Sequence, residues 1–187
     1  MGKIWDILLR LGTVLGCNFF CYDYSGYGQS TGRPSEKNVK DDIGAVFHCL
    51  ITEFGIRPDE VILHGRSIGS LPTVSLASEV DNIAGVILEG SFLSAMKILL
   101  PRRECFFDAF RNVDKITKMK VPTLVIHAVD DEVVPFCNGK KILELCQNPV
   151  EPLWVDGGHN KYTNESNEKY KDRLKYFIHQ ELPNQKF

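Results

Sequence analysis

Two hydrophobic periods alternate along the chain. Short apolar runs bounded by turn residues predict strands at 18–22, 60–64, 83–88, 122–127 and 152–155. Between them, apolar positions recur at helical spacing. Val39, Ile43, Phe47, Leu50 and Phe54 line one face of a helix that Ser35, after Pro34, can cap and Gly55 can end. Further helices are predicted at 68–78 and at 138–146, the latter with Asn138 as cap and Pro149 beyond its end. Tyr170, Leu174, Phe177 and Ile178 mark a last one. Ile4, Leu8, Leu11 and Leu15 fall on one face of an N-terminal helix that packs on a sheet. Strands alternating with helices predict an α/β fold: a mostly parallel sheet of about five strands, covered on both faces. No repeat or composition break divides the chain, so 1–187 reads as a single domain. In such sheets ligands bind beyond the carboxyl ends of the strands, which directs attention to the loop after each one.

Composition adds exclusions. The chain is 43% hydrophobic and 25% charged with a net charge of −2, which gives no electrostatic reason to expect nucleic acid as a partner. No run of about 18 apolar residues exists, so no transmembrane segment is expected. Asp6 and Arg10 interrupt the N-terminal apolar run, which therefore reads as a surface helix rather than a signal peptide. Six cysteines form no C-x-x-C pair, and no histidine stands beside them at zinc spacing. They read as reduced, mostly buried thiols of a cytoplasmic protein that needs no metal or cofactor.

The sharpest chemical signal is Gly65-Arg66-Ser67-Ile68-Gly69, between a predicted strand and a predicted helix. There G-x-S-x-G forms a nucleophile elbow: a turn so tight that the serine is strained and its hydroxyl projects above the sheet. Glycines on either side let strand and helix approach. The Ile68 N–H, at the helix start, can donate to an oxyanion. A serine hydroxyl needs a base. Of five histidines, His159 in Asp156-Gly157-Gly158-His159-Asn160 follows a strand and precedes the last helix, where a loop can carry it to the serine. An acid is expected after the preceding strand, where Asp130, Asp131 and Glu132 crowd one loop. Asp131 is favoured by its H-x-x-x-D-x-x-V-P spacing, Asp130 is the rival, and Glu89, ending another strand, is a third candidate. The acid would hold the imidazole tautomer and stabilise the imidazolium. Phe92, Phe106, Phe107 and Phe110 cluster before the fourth strand, as core or as the lining of an acyl-chain groove. Tyr22-Asp23-Tyr24-Ser25-Gly26-Tyr27-Gly28 lacks phosphate-loop spacing and reads as a rigid turn shaping the site.

Several stretches resemble the α/β-hydrolase domain-containing protein 17 group of protein depalmitoylases: that tyrosine-rich turn, Gly32-Arg33-Pro34-Ser35-Glu36, Ser67-Ile68-Gly69 with Pro72-Thr73, Phe107-Asp108-Ala109-Phe110, Asn112-Val113-Asp114-Lys115-Ile116, Pro152-Leu153-Trp154-Val155 and Gly158-His159-Asn160. The resemblance implies the α/β-hydrolase fold and a triad of Ser67, Asp131 and His159. It also implies hydrolysis of a fatty-acyl thioester on a protein cysteine through an acyl-serine; the same triad could instead serve a small acyl ester. Ala128 and the 161–165 loop depart from the family pattern. Family members begin upstream, with an anchoring tail, about three strands and a second oxyanion donor. The chain is thus expected to represent the C-terminal two-thirds of the family fold. It would be membrane-associated only where a longer N-terminus is present. Two expectations follow: an active acyl hydrolase, or a catalytically weak remnant that binds a partner, or a second copy, through the edge those strands would cover.

Overall fold

Ser35 starts the helix Glu36–Thr52 as its sequence indicates, with its hydroxyl accepting from the Asn38 N–H at 3.0 Å. The protein's structure, a computed structural model, describes residues 2–94, 111–160 and 167–182. The helices are α1 (Gly2–Leu15), α2 (Glu36–Thr52), α3 (Ser70–Ala77), α4 (Val113–Ile116), α5 (Cys137–Leu145) and α6 (Glu168–Tyr176). The strands are β1 (Ile62–Arg66), β2 (Gly85–Glu89), β3 (Thr123–Ala128) and β4 (Leu153–Val155). They form a four-stranded sheet in the order β1-β2-β3-β4, every pair parallel.

Alternation along the strands divides the core in two. Val86 and Leu88 of β2 and Val125 of β3 face one cluster, with Ile43 of α2, Val74 of α3, Ile116 of α4 and Ile142 of α5. Ile87, Leu124 and Ile126 face the other, with Leu15 of α1 and Tyr170, Leu174, Phe177 and Ile178. Both faces of β2 and β3 are covered, which explains their unbroken apolar runs. α6 is only nine residues long and strongly polar, too short to hold alone. Each of its buried side chains contributes about 1.5–3 kcal/mol, and these anchor it to the sheet.

One expected strand is corrected. Residues 18–22 enter no ladder, so four strands are described rather than five. Their apolar pattern reports side-chain burial: Phe19 packs on one core cluster and Tyr22 on the other. A strand also needs a neighbour with free backbone groups in register, and among the described residues none pairs with this segment. Phe20 instead meets Phe54 edge-on, with ring centroids 6.2 Å apart. Among the described residues, the outer edge of β1 consequently carries no ladder. Phe106, Phe107 and Phe110 lie outside the described residues. The five described cysteines are free, but only Cys146 is buried, against the expectation that most would be. No described helix is long and apolar enough to cross a membrane.

Candidate active site

β1 ends at Arg66, and the chain turns at once into a 3-10 turn, Ser67–Gly69, that leads into α3. Ser67 has φ +49°, the one positive value among the described non-glycine residues. The strain expected of an elbow is therefore present. The flanking glycines are unequal. A Cβ on Gly65 would stand 2.6 Å from Thr73 Oγ1 and 2.7 Å from the Gly69 carbonyl, so close approach requires glycine there. A Cβ on Gly69 would meet only the Tyr24 hydroxyl, at 3.6 Å, so the second glycine is not needed for approach. The elbow is braced from beneath: Ser70 Oγ donates to the Ser67 carbonyl at 2.7 Å, and Asn112 Nδ2 donates to Ser70 Oγ at 3.1 Å and to the Phe92 carbonyl at 2.9 Å. Ile68 lies in the first turn, where helical geometry offers its N–H no carbonyl. Phe92 is buried against Leu71 and Val134, between the elbow helix and the acid loop, and is not an open groove wall.

Asp131 and His159 are brought together. His159 Nδ1 donates to Asp131 Oδ2 at 2.7 Å, with both residues buried. Asp131 Oδ1 accepts the N–H groups of Val133 and Val134, at 2.9 and 2.7 Å, which aims the second oxygen at the ring. A carboxylate only accepts, so Nδ1 carries the proton and Nε2 keeps a lone pair. Ser67 Oγ makes no hydrogen bond to that nitrogen among the described contacts. The rival acids are elsewhere: Asp130 is exposed, and Glu89 is engaged with other partners.

The roles of four contributors, Glu132, His127, Glu89 and Arg66, were not visible in the sequence. Glu132 Oε2 accepts the His159 N–H at 3.0 Å. A Cβ on Gly158 would fall 2.2 Å from that oxygen, at the far end of a flexible side chain, so a larger residue there would push the Glu132 carboxylate off the His159 N–H. His127, fully buried, donates from Nε2 to the Val134 carbonyl at 2.9 Å and so supports the acid loop from below. Burial lowers its pKa below 6.5, overcoming the opposing pull of the Val134 carbonyl and Asp131. Glu89, 1% exposed, accepts from Tyr170 OH at 2.8 Å and His64 Nε2 at 2.9 Å, and lies 3.0 Å from Arg66 Nε. Burial alone would raise its pKa; the hydrogen bonds from His64 and Tyr170 and the charge of Arg66 outweigh it, and the carboxyl is held below its ordinary value. Arg66 Nη2 in turn donates to the His159 carbonyl at 2.7 Å and to Asn160 Oδ1 at 3.0 Å. The only sequence hints were an arginine inside the elbow and an acid at a strand's end. No group of three metal-ligating side chains occurs among the described residues.

No family model matches the chain. Among curated proteins it is 47% identical, over 98% of its length, to α/β hydrolase domain-containing protein 17C of Xenopus tropicalis, of which it covers 59%. It is 46% identical, again over 98%, to protein 17B of Homo sapiens, of which it covers 64%. The chain thus spans about three fifths of these relatives. Among solved structures, an α-β serine hydrolase homologue from Coxiella burnetii superposes with TM-score 0.70 at 21% identity, over 92% of this chain and 76% of that one. An esterase of Pyrococcus furiosus gives 0.75 at 18%, over 92% and 74%. The chain has the α/β-hydrolase fold and is a relative of α/β hydrolase domain-containing proteins 17B and 17C, similar to them across nearly its whole length.

Proposed function

We propose that this chain is a serine hydrolase that cleaves acyl esters and thioesters, with acylated protein cysteines as its substrate class. The observation that carries the reading is the buried 2.7 Å contact of His159 Nδ1 with Asp131, at the same end of the sheet as a serine held at φ +49°. In the reaction, Ser67 Oγ attacks the acyl carbonyl and passes its proton to His159 Nε2. The Ile68 N–H stabilises the oxyanion. The thiol or alcohol leaves with the proton from His159. Water, activated by the same nitrogen, then releases the carboxylic acid and restores Ser67. Asp131 keeps the imidazole in the tautomer both halves need. The missing Ser67–His159 bond is ordinary for a site without substrate, where such contacts are often long. A fluorophosphonate probe is expected to label the folded protein and not Ser67→Ala. A palmitoylated-cysteine peptide should then be turned over. Absence of labelling on folded wild type refutes the reading.

A second reading, a catalytically weak module that binds a partner, is favoured by the outer edge of β1, which pairs with no strand among the described residues. Equal lack of labelling in wild type and Ser67→Ala supports it.

A further inference from the structure

We propose that Arg66, the residue before the nucleophile, is a positioning residue: anchored on the buried Glu89 carboxylate, its guanidinium holds the His159 backbone and sets where the imidazole stands relative to Ser67. The proposal rests on the hydrolase reading above.

Glu89 is the starting point. Every residue of β2 is buried, and an apolar side chain would satisfy packing there. A carboxylate in that place must be compensated. It draws donors from separate elements: His64 from β1 and Tyr170 from α6 hydrogen-bond to Oε2, and Arg66 lies against Oε1. The Arg66 contact is a charge pair at 3.0 Å whose N–H is not aimed at the oxygen, since neither atom completes a hydrogen bond. The Arg66 side chain, 37% exposed, is therefore held by Coulomb attraction to a buried carboxylate, partly screened by solvent. Its outer nitrogen is left to bind the His159 carbonyl at 2.7 Å.

His159 is thus gripped at three points. Asp131 holds the ring, Glu132 the N–H, and Arg66 the carbonyl and the neighbouring Asn160 side chain. The first two grips come from the acid loop. Among the described contacts, Arg66 is the tie between the histidine loop and the elbow, since Arg66 is bonded covalently to Ser67. The loop needs such a tie, since it enters through Gly157 at φ +110°, a permissive hinge. Displacing a base by about 1 Å costs on the order of 10² in rate. Lysine offers a single ammonium on a flexible stem and cannot span Glu89 and the carbonyl with one rigid fork.

The test combines steady-state kinetics on an activated ester with hydrogen–deuterium exchange over residues 156–160. Arg66→Ala is expected to lower kcat about 10²-fold, with KM within roughly threefold, because orientation rather than binding is lost. Arg66→Lys should recover part of the loss, and so should added guanidinium with Arg66→Ala. Arg66→Ala/Glu89→Gln should be no slower than Arg66→Ala, since the two act as one unit. Exchange at 156–160 should quicken in Arg66→Ala. A folded Arg66→Ala protein with wild-type kcat, a rise in KM alone, or additive losses in the double variant overturns the proposal. Fluorophosphonate labelling of wild type separates the two claims. If wild type labels and Arg66→Ala keeps full kcat, only the positioning role falls. If wild type fails to label, the hydrolase reading falls, and exchange decides the clamp: unchanged protection overturns it, faster exchange supports it.

Discussion

Tyr170→Phe removes one hydroxyl from a buried carboxylate and leaves the packing nearly intact. Tyr170 is 5% exposed, and its ring lies among Leu174, Phe177 and the β3 side chains, a place phenylalanine fills. The lost contact is the 2.8 Å bond from Tyr170 OH to Glu89 Oε2. A hydrogen bond to a charged group contributes roughly 1.5–3 kcal/mol, and at this chain length each kcal/mol moves Tm by about 2–4 °C. A fall of roughly 3–12 °C is expected at neutral pH. The pH dependence tests the cause. Glu89 is held below its ordinary pKa in the folded protein, so its contribution is complete above the unfolded value, near 4.5, and fades as pH falls through the folded value. The difference between wild type and Tyr170→Phe should therefore narrow on acidification below that point. Urea unfolding at neutral and acidic pH measures both quantities. Tyr176→Phe, at an exposed ring, is the control and should stay within about 0.5 kcal/mol. A Tyr170→Phe penalty no larger than the control's, or one unchanged on acidification, refutes the account of Glu89.

Further predictions follow from the same geometry. Gly65→Ala should cost about 1–3 kcal/mol because its Cβ meets Thr73 and backbone, whereas Gly69→Ala should be close to neutral; thermal melts of the two compare them directly. Asp131→Asn turns an acceptor into a donor at His159 Nδ1, moves the ring proton to Nε2, and should reduce kcat on the order of 10⁴-fold while the fold survives. His127 has a folded pKa lowered below 6.5, so the unfolded chain takes up its proton first and stability falls as pH drops beneath that value. His127→Asn should flatten the Tm–pH curve between neutral pH and that acid range, and an unchanged slope counts against a neutral buried ring.

The sheet was legible because β2 and β3 are apolar on both faces, and the elbow because its glycines and serine stand between two periods. Residues 18–22 misled because apolar patterning reports burial and is silent on whether a ladder partner exists. Asn138 misled in a related way. Its side chain was expected to cap α5, yet Oδ1 accepts the Leu93 N–H and Nδ2 donates to the Pro135 carbonyl, with Phe136 in the cap position. An asparagine's local preference yields when a distant backbone group needs a partner. The pairing of Asp131 with His159 could be anticipated from loop order. The roles of Arg66, Glu132 and Tyr170 could not, since each depends on a contact spanning dozens of residues, such as the 93-residue separation of Arg66 and His159.

The left-handed backbone at Ser67 sets folding against chemistry. Any residue with a Cβ incurs roughly 1–2 kcal/mol in that conformation, and glycine escapes it. Ser67→Ala removes the hydroxyl but keeps the torsional penalty, whereas Ser67→Gly relieves it. The inactive glycine form should therefore outlast the alanine form on heating, up to the entropy glycine gains when unfolded. A protein that grows hardier as it loses its nucleophile has spare stability locked in the very peptide unit that presents the hydroxyl.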